Sequence, residues 1–314
     1  MSRDRSMRRP SFWFRIACVS LELAWAAFAS MPGFAAPQAS PAAPQDGIML
    51  TAVSRDDSVL IGGISTGIRT PQGIASVEQI AWITPSGLWQ DLPCNYHWVT
   101  DADIARCRDF AAGYLGQFHN YTIVSPDGFG GSVQAAPAHL DDCYSFATRG
   151  IYSGQPLERT AIAASDPSAF LPSHPIQPVD ALDYQKTLAA FAAASPVPLG
   201  TLAGIRLYRT QWNGHSLILV ERSFTDFSSA NPSVVPNVKL IFAIGEITRG
   251  KFHVLFWKRN TQDENEQVLG AVTLKNGREF LITSVNSPEA QFFRVYAMRN
   301  GHIEMVFSGG GSSC

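Results

Sequence analysis

Gly63-Ile64-Ser65-Thr66-Gly67 sets a serine between glycines in the pattern that exposes a nucleophile on a sharp strand-to-helix turn. Val59–Ile64 reads as the strand this needs. Arg69-Thr70-Pro71-Gln72-Gly73 follows where the helix should start, so only Ser65 with a later aspartate and His302 would remain of a serine-hydrolase set. The seven histidines stand singly, with no His-x-x-x-His pair. His139, Asp141 and Asp142, beside Cys143, form the densest ligand-like group, which would need one or two more ligands to hold a metal. Paired carboxylates occur at Asp56-Asp57, Asp101/Asp103 and Asp141-Asp142. Glycoside cleavage needs two carboxyls about 5–10 Å apart across a sugar, which sequence neighbours rarely provide. Asp263-Glu264-Asn265-Glu266 reads as a solvated loop. Gly128-Phe129-Gly130-Gly131 lacks the third spaced glycine of a dinucleotide site, and there is no P-loop, so no cofactor is expected.

Aromatic residues offer binding rather than chemistry. Trp82 and Trp89 fall at strand positions and read as core. Tyr96 and Trp98 fall in a loop near Cys94, where an exposed ring could stack on a sugar or anchor a protein partner.

The elements that must position these residues follow from composition and pattern. The chain has 314 residues, 46% of them apolar and 16% charged, with a formal net charge of −2. That excludes a disordered chain and gives no basic footprint for nucleic acid. Residues 1–35 combine an arginine-rich start, a short apolar stretch from Phe12 to Phe28 and small residues at Ala27-Phe28-Ala29 and Gly33-Phe34-Ala35, the organisation of a secretory signal peptide. Residues 36–46 are a Pro/Ala/Gln linker, and no later run is apolar enough to span a membrane. The expected location is therefore periplasmic or extracellular. Cys94, Cys107, Cys143 and Cys314 remain after the signal segment, an even number that suggests two disulfides. Three connectivities stay open, with Cys94–Cys107 and Cys143–Cys314 favoured, the latter fastening a flexible Ser308–Ser313 tail.

The strongest pattern is a repeat. Thr210–Val220 matches Thr273–Thr283 with Asn213-Gly214 over Asn276-Gly277, and Ile244–Trp257 matches Val295–Phe307 with Gly250 over Gly301. Asn-Gly between apolar runs predicts tight type I′ hairpins. Eight strands are expected near 204–210, 215–222, 238–247, 252–258, 267–274, 279–285, 291–298 and 302–307, arranged as two four-stranded antiparallel meanders. Ala52–Gly62 and Ile80–Asp91 give a fainter third copy. Further hairpins are expected to turn at Asp127-Gly128 and Arg149-Gly150. Helices are expected at Asp101–Tyr114 and Ala181–Ala194, and a proline-rich connector at Asp166–Val179 divides an N-terminal part (47–165) from a C-terminal part (166–314).

A strand, a short Asn/Asp-Gly turn and a closing strand of the Val-Tyr type resemble the FG-GAP (integrin-like) repeat of secreted β-propellers, best over 204–307 and faintly over 48–94. The resemblance implies a propeller-like fold, with a β-sandwich as the alternative. That family's turns hold calcium through alternating aspartates. Here they read Arg55-Asp56-Asp57, Gln211-Trp212-Asn213 and Leu274-Lys275-Asn276, so calcium is not expected. The functional expectation is an exported, mainly β, non-catalytic binding module for a protein or glycan. Alternatives are a secreted hydrolase using Ser65 or a carboxylate pair, and a periplasmic inhibitor or immunity protein.

Overall fold

The apolar run after Ser58 forms β1 (Val59–Ile64), buried at every position. Such a run suits a strand covered on both faces. The computed structural model describes residues 58–64, 72–93, 100–124, 130–141, 145–157, 161–200, 202–222, 241–259, 264–287 and 290–313. Cα proximity divides the chain into Met1–Asp46 and Gly47–Cys314, and every element below belongs to the second unit.

In the first half, β2 (Gln72–Ile83), β3 (Trp89–Asp91), α1 (Asp101–Gly113), β4 (Asn120–Ile123), β5 (Gly131–Ala135), β6 (His139–Leu140), β7 (Phe146–Gly154) and β8 (Ala161–Ala164) follow in order. The antiparallel sheet runs β3-β2-β1-β8-β4-β5-β7-β6, and β2 also pairs with β7. Strands β2, β1, β8, β4, β5 and β7 therefore close into a six-stranded barrel. Closure depends on the length of β2. Its first half, Gln72 to Glu78, pairs with β7, and its second half, Val77 to Ile83, pairs with β1. A register shift beside Gly62 lets the long strand bend between its two partners. Leu60, Val77, Trp82, Tyr121, Phe146 and Tyr152 fill the interior, and α1 adds Cys107 and Ala111 to that core.

Thr100 caps α1. Its hydroxyl accepts from Asp103 N at 3.2 Å and donates to the Asp103 carboxylate at 2.7 Å. Bonds from Thr100 and then Arg106 hold the Asp103 carboxyl below its usual range. Thr100→Ala is expected to cost about 1 kcal/mol of stability, read as a lower urea midpoint, because a helix-end N–H loses its acceptor.

The second half contains β9 (Phe170–Leu171), β10 (Gln177–Pro178), α2 (Ala181–Ala194), β11 (Arg206–Trp212), β12 (His215–Arg222), β13 (Ile241–Thr248), β14 (Lys251–Arg259), β15 (Asn265–Leu274), β16 (Glu279–Asn286), β17 (Ala290–Arg299) and β18 (His302–Ser313). Both expected meanders are present: β11-β12-β13-β14 and β15-β16-β17-β18, each antiparallel throughout. The layers stack in sequence. One face of the β15–β18 sheet packs Phe280, Ile282 and Val295 against Ile61, Ile80 and Ile162 on the outside of the barrel. Its other face packs Leu281 and Tyr296 against Leu217, Leu219 and Phe242. The far side of the β11–β14 sheet is covered by Leu188 and Phe191 of α2. The Tyr184 hydroxyl on α2 donates to the Ile205 carbonyl. The chain is thus mainly β, with two helices and antiparallel sheets. No helix among the described residues is long and apolar enough to cross a membrane.

Several local expectations are corrected. Arg149-Gly150 is no turn: β7 runs unbroken through it, and Gly150 serves a close approach, since an added Cβ would meet the Gln134 carbonyl of β5. Asp166–Val179 is more than a connector, because β9 extends the second meander sheet and β10 the first. Pro178 is tolerated there because β10 is an edge strand. The Ser308–Ser313 tail belongs to β18 and pairs with β17. Gly310 lies so close to the Ile80 backbone that a Cβ would collide with it, and its N–H donates to Asp91 at 3.0 Å. The glycines there permit contact between layers rather than freedom. Asn213-Gly214 has positive φ at both residues, as a type I′ turn requires. At Asn276-Gly277 only the glycine does, within a longer turn closed by Gly277 N to Leu274 O at 2.8 Å. Asp180 occupies the cap position of α2 without a side-chain capping bond. The expected turn at Asp127-Gly128 and the turns of the faint third copy at residues 55–57 lie outside the described residues.

Candidate functional site

Strand pairing builds a carboxyl pair on the barrel wall that no sequence motif marks. In the ladder β6-β7-β2, His139 lies opposite Ala147, and Ala147 lies opposite Glu78, so the three residues form one lateral row. Opposite residues of an antiparallel pair share a face. Asp141 follows His139 by two residues and accepts from Ser145 N at 2.8 Å and Ser145 Oγ at 2.6 Å. Burial, with the Asp141 charge adding to it, pushes the Glu78 carboxyl up to about 7. Glu78 Oε1 is shielded from solvent and meets no hydrogen-bond donor among the described residues. A carboxyl raised to near neutrality with a second carboxylate beside it is the kind of group that can exchange a proton at neutral pH. Among the described residues, no group of three His, Cys, Asp or Glu side chains converges to hold a metal.

The largest polar cluster lies between the two meanders. Glu266 on β15 is fully buried and accepts from Thr283 Oγ1 at 2.7 Å, Tyr296 Oη at 2.5 Å and Arg294 Nη1 at 2.8 Å. Arg294 also reaches Glu264 at 3.2 Å, and Lys258 on β14 bonds Glu264 at 3.0 Å. Glu221 on β12 accepts from the Val268 N–H at 2.8 Å and the Tyr208 hydroxyl at 3.0 Å. Burial alone would lower the affinity of Arg294 for its proton, but Glu266 and Glu264 outweigh it and hold the guanidinium charged. Burial also raises the Tyr296 hydroxyl well above its ordinary value, with the neighbouring Glu266 charge acting in the same direction. Glu266, Thr283, Arg294 and Tyr296 tie together strands of one sheet, and Lys258 and Glu221 join that sheet to the β11–β14 sheet.

This arrangement overturns the solvated-loop reading for Glu264 and Glu266, while Asp263 lies outside the described residues. Glu264 and Glu266 lie two apart at the start of a strand, so both face the same cations. The period-two spacing of Glu264/Glu266 and of Arg294/Tyr296 was the available signal.

Of the other sequence candidates, Ser65, Tyr96, Trp98 and Asp142, with Cys94, Cys143 and Cys314, lie outside the described residues. The strand before Ser65 is β1, and the next described element is a strand, β2. His139 is exposed, and Asp141 stands beside Glu78. Cys107 is buried on α1, and the other retained cysteines lie outside the described residues. Trp82 and Trp89 are buried, one inside the barrel and one against Phe280. His253, which alternation with Phe252 and Val254 suggests as a packing residue on one sheet face, is exposed. No family model, no curated protein and no solved structure matches this chain.

Proposed function

We propose that this chain is an exported β-scaffold protein that binds a protein or glycan partner and performs no chemistry on it. The observation that carries this reading is that the charges of this half turn inward: Glu266 and Arg294 pair within the β15–β18 sheet, while Lys258 on β14 and Glu221 on β12 reach across to β15 and its start. Two consecutive four-stranded meanders stacked face to face are consistent with a propeller-like, degenerate FG-GAP arrangement. Export rests on the arginine-rich and apolar character of residues 1–35. In an oxidising compartment we assign Cys107 to Cys94, its neighbour in sequence among the retained cysteines.

A hydrolase is the second reading, and Glu78 beside Asp141 is the observation that favours it. Mature protein, Ser65→Ala and Glu78→Gln are to be compared on panels of ester and glycoside substrates, alongside a glycan binding array. We expect no turnover above blank in any of the three, with glycan or protein capture retained by both variants. Turnover abolished by either substitution would replace the binding reading with the hydrolytic one.

A further inference from the structure

Five hairpin turns gather at one end of the sheet stack. In an up-and-down meander the first and third turns fall at the same end. These are Asn213-Gly214 and Arg249-Gly250 in one sheet, Asn276-Gly277 and Asn300-Gly301 in the other. Asn213 N donates to Glu279 Oε2 at 2.5 Å, which brings the two sheets' turn ends together. Asn276 Nδ2 donates to the Pro85 carbonyl at 2.7 Å and Arg278 to the Ser86 carbonyl, which adds the β2–β3 turn.

The charges at this end do not balance. Arg249, Lys251 and Lys275 are exposed and form no ion pair among the described residues. The carboxylates beside these turns are Glu279, which accepts from the Asn213 N–H, Glu246, bonded to His215 at 2.5 Å, and Glu304, 3.6 Å from Arg299. With Arg278 and Arg299 the cations outnumber them five to three, so the balance is positive, on a chain whose net charge is −2. Three of the large apolar side chains exposed in this protein stand beside the same turns. Leu88 closes the β2–β3 turn, Leu171 lies opposite Thr273, and Ile247 precedes Arg249 by two residues.

We infer that this turn end docks on an anionic lipid surface. Cations suit the headgroups, and short apolar side chains beside them suit the acyl boundary, the combination that holds peripheral proteins at a bilayer. A soluble polyanion would use the cations and have no use for Leu88, Leu171 and Ile247.

The test is co-sedimentation of the full chain with phosphatidylcholine vesicles containing or lacking phosphatidylglycerol, with dextran sulfate as a soluble polyanion. The protein is compared with Arg249→Gln/Lys251→Gln/Lys275→Gln and with Leu88→Ser, all checked for native circular dichroism. Binding is expected only to the anionic vesicles and should fade with added salt. With each cation contributing about fivefold, the triple variant should bind about a hundredfold more weakly. Leu88→Ser should weaken binding severalfold without changing its salt dependence. The inference fails if the triple variant binds as tightly as the native chain, since the arginines of residues 1–10 would then carry the effect. It fails equally if dextran sulfate binds and vesicles do not, or if neither binds.

Discussion

Arg294→Leu is expected to lower the free energy of unfolding by about 3–5 kcal/mol, because it leaves the Glu266 carboxylate buried without its principal counter-charge. Glu266 keeps the Thr283 and Tyr296 hydroxyls, at 2.7 and 2.5 Å, but neutral donors do not replace a guanidinium at 2.8 Å. Lys258 Nζ stands 3.6 Å from Glu266 and already serves Glu264, so it compensates only in part. The double variant Glu266→Gln/Arg294→Leu removes the stranded charge and should recover much of the loss. Urea unfolding of the native protein, both single variants and the double variant closes the thermodynamic cycle. A single-variant cost below about 1 kcal/mol would show that the two charges do not act as a unit in holding β15 and β17 together.

Glu78 makes stability fall as pH rises. Its folded-state value is raised to about 7 from an ordinary 4.5, chiefly by burial. Between those values the folded protein holds a proton that the unfolded chain has released, so the slope of unfolding free energy against pH is negative. The protein is unpenalised below about pH 4.5 and has lost about 3 kcal/mol once the pH passes about 7. Glu78→Gln, which cannot ionise, should match the native protein at about pH 4 and exceed it by about that amount at about pH 8. Asp141→Asn should reduce the difference modestly, since the Asp141 charge is the smaller cause. The measurement is the urea midpoint of all three proteins across this range. Parallel profiles for native protein and Glu78→Gln would mean that Glu78 ionises normally, and the acid–base reading of the barrel wall would go with it.

The C-terminal strands were legible because their code is local. Alternation in Arg206–Trp212 and the Asn213-Gly214 turn specify a hairpin without reference to anything distant, and strand bounds there fall within a few residues of expectation. The helices were legible for the same reason, Thr100 ahead of Asp103 being a start signal complete within four residues. Arg149-Gly150 misled because glycine permits both a turn and a close strand approach, and only the neighbouring β5 backbone decides between them. Asp263–Glu266 misled because charge density alone suggests solvent, whereas the cations that make burial tolerable lie on β14 and β17.

By itself the sequence determined the mainly β composition, the two helices and the meander order, all set by hydrogen bonding and periodicity within a few tens of residues. Barrel closure, the burial of Glu266 and the meeting of Glu78 with Asp141 were decided only by tertiary structure. Each depends on which strand lies beside which across 28 to 81 residues of chain, from Arg294–Glu266 to Gln72–Ser153, a choice made by the packing of whole faces.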